Sequence, residues 1–178
     1  MNPEQYHHLL EWLDARPTIK RWVIRLNRCL PAIPFLCYPV LLVILNARWF
    51  LLLRTGSDAA LDFMQNIAKA ILVPGLTFWF GTLLRQRLNR PRPYEQPGFH
   101  PLVSKETRGC SFPSRHALSA AVLAMVWLYF CRPVGILMVG ITLLICVLRV
   151  VSGVHFVQDV AAGALLGFAC GILGMWLL

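Results

Sequence analysis

The chain has 178 residues, of which 57% are hydrophobic and only 14% charged, and its formal net charge is +9. Soluble globular domains carry about 25% charged residues, so this composition excludes an ordinary soluble protein, and the length excludes several domains. Several apolar runs are long enough to cross a hydrocarbon core, which takes about 20 residues per helix. Many basic residues flank these runs, which is usual in membrane proteins, so we expect no nucleic-acid partner.

The first predicted elements lie in a mixed N-terminal segment. Residues 4–28 combine apolar and charged side chains around Pro17, which predicts one or two amphipathic helices at the membrane surface. A helical cap in water is the alternative. We expect no signal peptide here, because acids come early and no apolar core precedes a small-residue cleavage site. The predicted division is an N-terminal interfacial segment, 1–30, followed by a membrane domain, 31–178.

Five apolar segments follow and predict an all-α, polytopic membrane helical bundle. They lie at about residues 31–53, 67–84, 116–131, 134–150 and 156–178. Six spans result instead if residues 31–62 form two short helices. Pro133 cannot continue a helix, which predicts a tight turn between the third and fourth spans. In the fifth span, small residues on one face predict close packing against another helix; they are Gly163, Gly167, Gly171 and Gly174.

Three polar clusters interrupt the apolar chain, at residues 85–98, 111–116 and 148–159. The second span ends on the side of the membrane on which the third begins. The third span crosses the membrane away from that side and the fourth returns, so the fourth also ends there. All three clusters are therefore expected at the same membrane face. A random scatter of surface charges would not have this property.

The arginines in these clusters have the chemistry of a phosphate site. Arg85, Arg92 and Arg149 carry fixed positive charge in planar forks that suit phosphate oxygens. Arg149 is the only charged residue of the fourth span, and a charge in a membrane segment needs a partner or a function. The helix that starts near Pro113 offers free backbone N–H groups to an anion, and Ser114 adds a hydroxyl.

Two histidines and an aspartate supply reactive groups at the same place. Asp159 lies four residues after His155, which puts both on one helical face. The carboxylate then bonds one imidazole nitrogen and leaves the other as an oriented nucleophile or base. His116, at the mouth of the third span, is placed to protonate a leaving oxygen. Each group also has a structural explanation when it is considered alone: His155 and Asp159 as a pair at a helix start, His116 as a capping residue, and the arginines as a positive flank. Their convergence on one membrane face favours a functional site.

The clusters resemble the three motifs of the type 2 phosphatidic acid phosphatase superfamily, which shares its active site with vanadium haloperoxidases. The first motif is a Lys, six residues and Arg-Pro, and RQRLNRPRP at 85–93 is similar to it. Pro-Ser-Gly-His, the second, corresponds to PSRH at 113–116. The third is Ser-Arg, five residues, His, three residues and Asp, and it corresponds to LRVVSGVHFVQD at 148–159. The resemblance extends over about residues 67–178.

This resemblance implies a phosphatase site that needs neither metal nor cofactor. His155 would attack phosphorus and form a phosphohistidine, Asp159 would orient it, and His116 would protonate the leaving group. The phosphoryl oxygens would be held by Arg85, Arg92, Arg149 and Ser114. The cysteines form no CxxC pair and are expected to be packing residues rather than metal ligands.

Three positions depart from the family's pattern. Arg85 stands where a lysine is usual and keeps the charge. Leu148 replaces a serine, so one hydroxyl contact is lost. Arg115 replaces the glycine of the second motif, where its backbone N–H remains and its side chain adds a fourth cation to the phosphate-binding set. That extra charge favours a head group such as a diphosphate.

We therefore expect an integral-membrane phosphatase acting on a lipid phosphate monoester or diphosphate. Phosphatidate, phosphatidylglycerophosphate and polyprenyl diphosphate are all open as substrates, and so is the oligomeric state. The substrate's tail would stay among membrane lipids. A non-catalytic anion-binding or transport protein would not require the His155–Asp159 pair together with His116. A haloperoxidase-like enzyme would need vanadate, and known members of that kind are larger and soluble.

The basic residues predict a site that faces the cytoplasm, with a bacterial cell membrane as the expected location. With five spans, the N-terminus and the site share one side, which holds Arg16, Lys20, Arg21, Arg25, Arg28, Arg87, Arg90, Lys105 and Arg108. The other side holds Arg54 and Arg132, with Arg48 ambiguous. The positive-inside rule then makes the first side cytoplasmic. Six spans would reverse this assignment.

Overall fold

The structure is a computed structural model that describes residues 3–103 and 106–178; Lys105, used in the charge count, lies outside these ranges. The seven α-helices of the described ranges are α1 (Pro3–Asp14), α2 (Pro17–Cys29), α3 (Ala32–Arg54), α4 (Ala59–Leu88), α5 (Arg115–Phe130), α6 (Arg132–Val151) and α7 (Val157–Ile172). A 3₁₀ turn, Pro93–Glu95, follows α4, and α7 continues into a π-helical turn, Leu173–Leu177. The described residues contain no strand, and the all-α prediction is confirmed.

Four helical stretches are long and apolar enough to cross a membrane, and α5 is a shorter apolar helix. The four stretches contain α3, α4, α6 and α7. Large apolar side chains on their outer faces, such as Leu36 and Val43 of α3, are exposed, as expected of surfaces that face lipid. A membrane helical bundle is thus confirmed. The six-span alternative is wrong, because α3 is one continuous helix.

α5 is the central helix of the bundle. Every residue from Ala117 to Trp127 is buried, and α5 packs against α3, α4, α6 and α7. At about 1.5 Å per residue, its 16 residues span roughly 24 Å, less than the ~30 Å hydrocarbon core. A helix surrounded by protein has no lipid-facing surface to match to the membrane, so this short length is tolerated.

The predicted packing of the glycine stripe is confirmed, because α7 approaches its neighbours through these residues. A Cβ added to Gly163 would lie 2.6 Å from the carbonyl oxygen of Ser114, and one added to Gly167 would lie 2.4 Å from that of Leu118. Only glycine permits such close contact with the α5 backbone. As a result, the starts of the two helices meet, and the Ser114 N–H donates to the carbonyl oxygen of Asp159 at 2.9 Å.

α4 is longer at both ends than the predicted span of 67–84. It begins at Ala59, and Asn66 in this added part accepts a hydrogen bond of 3.0 Å from the Tyr129 hydroxyl. At its other end the helix continues to Leu88. Arg85 therefore lies in the last turn of a helix, not in the polar stretch where the sequence analysis placed it.

The N-terminal segment forms two helices, and Pro17 occupies the first turn of the second. α1 is not fully exposed, since Tyr6 and Leu13 are both 1% exposed. The Tyr6 hydroxyl donates to the carbonyl oxygen of Val151, at the end of α6. The N-terminus and the end of α6 are therefore on the same side, as the five-span count predicts. The division of the chain at residue 30 stays a prediction.

Candidate active site

The three polar clusters meet at one end of the bundle. Arg85 lies in the last turn of α4, Ser114 directly precedes α5, and Arg149 lies in the last turn of α6. Asp159 lies in the first turn of α7, and His155 lies in the connection between α6 and α7. All five side chains are buried. The helix ends thus bring together the residues that the sequence analysis selected.

His155 and Asp159 are linked through a third side chain. The His155 Nδ1 atom is 3.6 Å from Asp159 Oδ2, which is long for a direct hydrogen bond. Ser111 lies between them: its hydroxyl donates to Asp159 Oδ2, and its Oγ atom is 3.3 Å from His155 Nδ1. This order assigns the imidazole proton to Nδ1 and leaves the Nε2 lone pair to act as a nucleophile or base.

The carboxylate of Asp159 is also fixed from its own helix. The Phe156 N–H donates to Asp159 Oδ2 at 3.0 Å, a bond that caps the first turn of α7. The His155 side is held by backbone bonds, since the N–H groups of Val154 and His155 both donate to the carbonyl oxygen of Arg149, at 3.2 and 3.3 Å. The position of the imidazole therefore depends on the turn that connects α6 to α7.

The imidazole of His155 is held in its neutral form. Burial lowers the pKa of His155 below its ordinary value of 6.5, and the positive charges of Arg92 and Arg85 lower it further. The nearby carboxylate of Asp159 raises this pKa but does not outweigh burial. A neutral imidazole at neutral pH is the form that attacks an electrophile.

Four arginines make this end of the bundle strongly positive. Arg85 lies within electrostatic range of Arg92 and Arg115, and Arg149 within that of Arg92. Arg85 Nη1 donates to the carbonyl oxygen of Pro113 at 3.3 Å. Such a group of like charges repels itself unless an anion binds among them. The arrangement is therefore suited to an anion with several oxygens.

Two buried polar groups in this place have no hydrogen-bond partner among the described residues. They are the Oγ atom of Ser114 and the Nε atom of Arg149. Leaving a buried polar group unpaired costs about 1–3 kcal/mol, so native proteins rarely do so without a reason. Ser114 makes no side-chain cap of α5, although it stands at the N-cap. Both groups are available to donate to a phosphoryl oxygen.

Arg92 is positioned by Glu95, a residue that the sequence analysis missed. Glu95 Oε1 accepts hydrogen bonds from the backbone N–H groups of Arg92, at 2.9 Å, and Gly109, at 2.7 Å. Arg92 Nε in turn donates to the Gly109 carbonyl oxygen at 3.0 Å. The carboxylate thus closes the loop around the arginine. Glu95 lies three residues after Arg92, which is the spacing of a capping residue. This spacing could have identified Glu95 from the sequence.

Arg90, which the sequence analysis counted only among the basic residues on this side, also contacts the site. Its Nη1 atom lies 3.5 Å from Asp159 Oδ1, and its Nη2 atom donates to Gln158 Oε1 at 3.1 Å. The guanidinium also lies over the ring of Phe156, at 5.3 Å from the centroid. Arg90 therefore supplies the second oxygen of the carboxylate with a charged partner.

The start of α5 carries the two remaining predicted site residues. Arg115 is its first residue and is exposed, while His116 is its second residue and is half-buried. Exposure leaves the Arg115 side chain able to reach a group beyond the buried arginines. Within the described ranges, no group of three or more His, Cys, Asp and Glu side chains is arranged to hold a metal ion.

An apolar groove lies on the lipid-facing surface near the site. It has a volume of about 370 Å³ and runs between α6 and α7, lined by residues that include Leu143, Val147 and Ala164. Its wall residues Val150 and Val157 also line a small cavity beside His155. The groove and this cavity are therefore neighbours.

Comparison with known proteins identifies similar sequences and folds. The sequence model of the PAP2 superfamily matches residues 66–178. A solved structure of a transmembrane PAP2-type phosphatidylglycerolphosphate phosphatase from Bacillus subtilis is 27% identical with a TM-score of 0.57, and the match covers 92% of this chain and 84% of that chain. The structure of LpxE from Aquifex aeolicus is 26% identical with a TM-score of 0.53, covering 76% of this chain and 86% of that chain.

Proposed function

Because this chain belongs to the PAP2 superfamily, a relationship that makes it a membrane phosphatase, we propose that it hydrolyses a lipid phosphate through a phosphohistidine at His155. The observation that carries this proposal is the linked set of His155, Ser111 and Asp159 beside the buried arginines. A neutral, oriented imidazole next to an anion site is what nucleophilic attack on phosphorus requires.

In the first step, the Nε2 lone pair of His155 attacks phosphorus and the bond to the leaving oxygen breaks. His116 gives its proton to that oxygen, so a monoester releases an alcohol rather than an alkoxide, and a diphosphate releases a monophosphate that carries one negative charge less. The imidazole becomes positively charged as the N–P bond forms. Asp159, linked to it through Ser111, stabilises that charge.

In the second step, water attacks the phosphohistidine. His116, which is now neutral, takes a proton from this water, and the N–P bond breaks to release inorganic phosphate and neutral His155. Through both steps, the phosphoryl oxygens are held by Arg85, Arg92, Arg149 and the hydroxyl of Ser114. Fixed positive charge that matches the charge of the transition state is the largest contribution to such reactions.

The substrate is proposed to be a lipid phosphate monoester or diphosphate. The groove between α6 and α7 supports a lipid, because it offers an apolar surface for a tail next to the cavity that His155 lines. The exposed guanidinium of Arg115 supports a second phosphate beyond the buried site. Phosphatidylglycerophosphate, the substrate class named for the Bacillus subtilis protein, is one candidate beside phosphatidate and polyprenyl diphosphate.

Phosphate release by the purified protein in detergent tests this function. The panel contains phosphatidate, phosphatidylglycerophosphate, a polyprenyl diphosphate and a water-soluble phosphate monoester without a tail. We expect a lipid to be hydrolysed in preference to the soluble ester, and a diphosphate to lose rate selectively in Arg115→Gly. Binding of the lipids without any phosphate release would favour a non-catalytic anion-binding or transport protein.

Metal independence belongs to the same proposal, since nitrogen and oxygen groups of the chain carry every step. Activity is expected to persist in EDTA and to be inhibited by vanadate, which resembles the five-coordinate transition state and should bind tightly among the arginines. Loss of activity in EDTA that is restored by a divalent cation would contradict this mechanism.

The site is proposed to face the cytoplasm. The N-terminal helices lie on the site side, so their basic residues count toward that side under the positive-inside rule. The side of the membrane can be tested by labelling half-buried Cys110 in a variant whose other five cysteines are replaced. A membrane-impermeant maleimide should label Cys110 only after the membrane is opened. Labelling in intact cells would place the site outside.

A further inference from the structure

The N-terminal helix α1 contacts the catalytic end of the bundle through Tyr6. This residue is 1% exposed, whereas the following residues, His7 and His8, are exposed and form ion pairs with Glu11 of their own helix. The family match begins at residue 66 and does not include α1. We propose that Tyr6 is a positioning residue that holds the turn carrying His155, an inference that rests on the proposed function of His155 as the nucleophile.

The hydroxyl of Tyr6 joins two segments that border the site. It donates to the carbonyl oxygen of Val151 at 3.2 Å and accepts from the N–H of Leu102 at 3.0 Å. The first group is at the end of α6, where carbonyls have no partner within the helix. Burial raises the pKa of Tyr6, so the phenol keeps its proton and continues to donate.

The ring of Tyr6 supports the same turn from the side. It stacks on Phe99 with 4.3 Å between centroids and 18° between planes. A Cβ added to Gly153 would lie 2.5 Å from the Tyr6 oxygen, so the glycine backbone lies directly against the phenol. Gly153 has φ +71°, a left-handed conformation that favours glycine. The turn is thus shaped by close contact with Tyr6.

This contact reaches the nucleophile over a short distance. Gly153 is two residues before His155, and both line one small cavity together with Phe99. The link from the imidazole to Ser111 is 3.3 Å long, near the limit of a hydrogen bond, so a small displacement of the turn breaks it. Misplacement of a reacting group by about 1 Å costs up to about a hundredfold in rate.

The experiment compares Tyr6→Phe, which keeps the stacked ring and removes both hydroxyl bonds, with His7→Ala as the matched control on the exposed face of α1. Three quantities are measured on the full-length protein in detergent: kcat and KM, the number of vanadate-binding sites per chain, and hydrogen exchange of residues 150–155. For Tyr6→Phe we expect kcat per vanadate site to fall about tenfold, KM to stay within about twofold, and exchange of 150–155 to rise. His7→Ala should match the wild type in all three.

Two results would overturn the proposal. One is a Tyr6→Phe variant with wild-type kcat and wild-type exchange at 150–155. The other is a loss of rate that equals the loss of vanadate sites, which would show that Tyr6 stabilises the fold without positioning the nucleophile. A wild-type protein that hydrolyses no lipid phosphate would instead refute the proposed function, and the exchange measurement would still decide whether Tyr6 holds the turn.

Discussion

Charged residues differ in burial between two regions of the molecule: the helices that carry the motifs, α4 to α7, and the N-terminal helices, α1 and α2. In the first region, Arg85, Arg149 and Asp159 are buried at helix ends. In the second, Asp14 and Lys20 pair with each other at the surface. Exposed pairs contribute about 0–1 kcal/mol, whereas a buried charge is costly unless partners or a ligand compensate it.

This difference indicates where large effects on activity are expected. Substitutions of charged residues in the N-terminal helices should change the rate little, and substitutions at the ends of α4 to α7 should change it strongly. Tyr6 is the exception in α1, because it contacts the turn that carries His155 from outside the motif helices. We therefore expect chemistry and positioning to depend on different parts of the chain.

The largest expected effect belongs to His155→Ala. The rate of phosphate release should fall by about 10⁴-fold or more, as is usual for loss of a nucleophile, while the protein still inserts and elutes as the wild type does. His100→Ala is the matched control, since His100 is exposed in the loop on the same side. A variant that retained more than about a tenth of the wild-type rate would refute the nucleophile assignment.

Asp159→Asn should have the next largest effect, a loss of roughly 10³-fold, because an amide no longer stabilises the positive imidazole or fixes its tautomer. The same substitution at exposed Asp62, in the first turn of α4, is the control and should leave the rate unchanged. Equal rates for the two variants would remove Asp159 from the mechanism.

Two arginines on the same turn of α4 provide a sharper comparison. Arg85 is 6% exposed and faces Pro113, whereas Arg87 is exposed. Arg85→Gln should weaken vanadate inhibition about a hundredfold, in line with the loss of a buried charged hydrogen bond, and Arg87→Gln should leave it within twofold. If both variants weakened inhibition equally, the effect would come from the general positive field and not from a phosphate contact.

Most of the fold and the main site residues were predictable because each depends on local spacing. Apolar runs give the spans, and the four-residue interval from His155 to Asp159 gives one helical face. Ser111 was not predicted as part of the pair, because its role depends on how closely the start of α5 approaches α7. Arg90 was missed for the same reason, since a flanking arginine and an arginine that pairs with Asp159 look alike in sequence.

The length of α4 and the role of α1 show the same limit. The polar start of α4 was assigned to a loop, and the contact of Asn66 with Tyr129, about sixty residues away, is one that local spacing does not reveal. Tyr6 is one aromatic residue in an amphipathic segment, and nothing in its neighbours indicates that it contacts residues near 100 and 150. Long-range contacts of this kind are not readable from periodicity.

The smallest predicted effect is a shift in the pH dependence. Because the pKa of His155 lies below 6.5, the attacking neutral form persists down to that pKa, and kcat/KM should fall only as the pH drops below 6.5. Asp159 raises this pKa and Arg85 lowers it. The acid limb should therefore move to lower pH in Asp159→Asn and to higher pH in Arg85→Gln. Substrate ionisation is the same in all variants, so shifts in one common direction would contradict the assignment.

The most direct test of the central claim is chemical trapping of the intermediate. Wild-type protein is mixed with a lipid substrate labelled in its terminal phosphate, quenched in alkali within the first turnover, and digested for mass spectrometry. We expect a phosphate that is stable to alkali and labile to acid, located on His155 and absent from His155→Ala. Turnover without this modification, or a label that persists in His155→Ala, would contradict it.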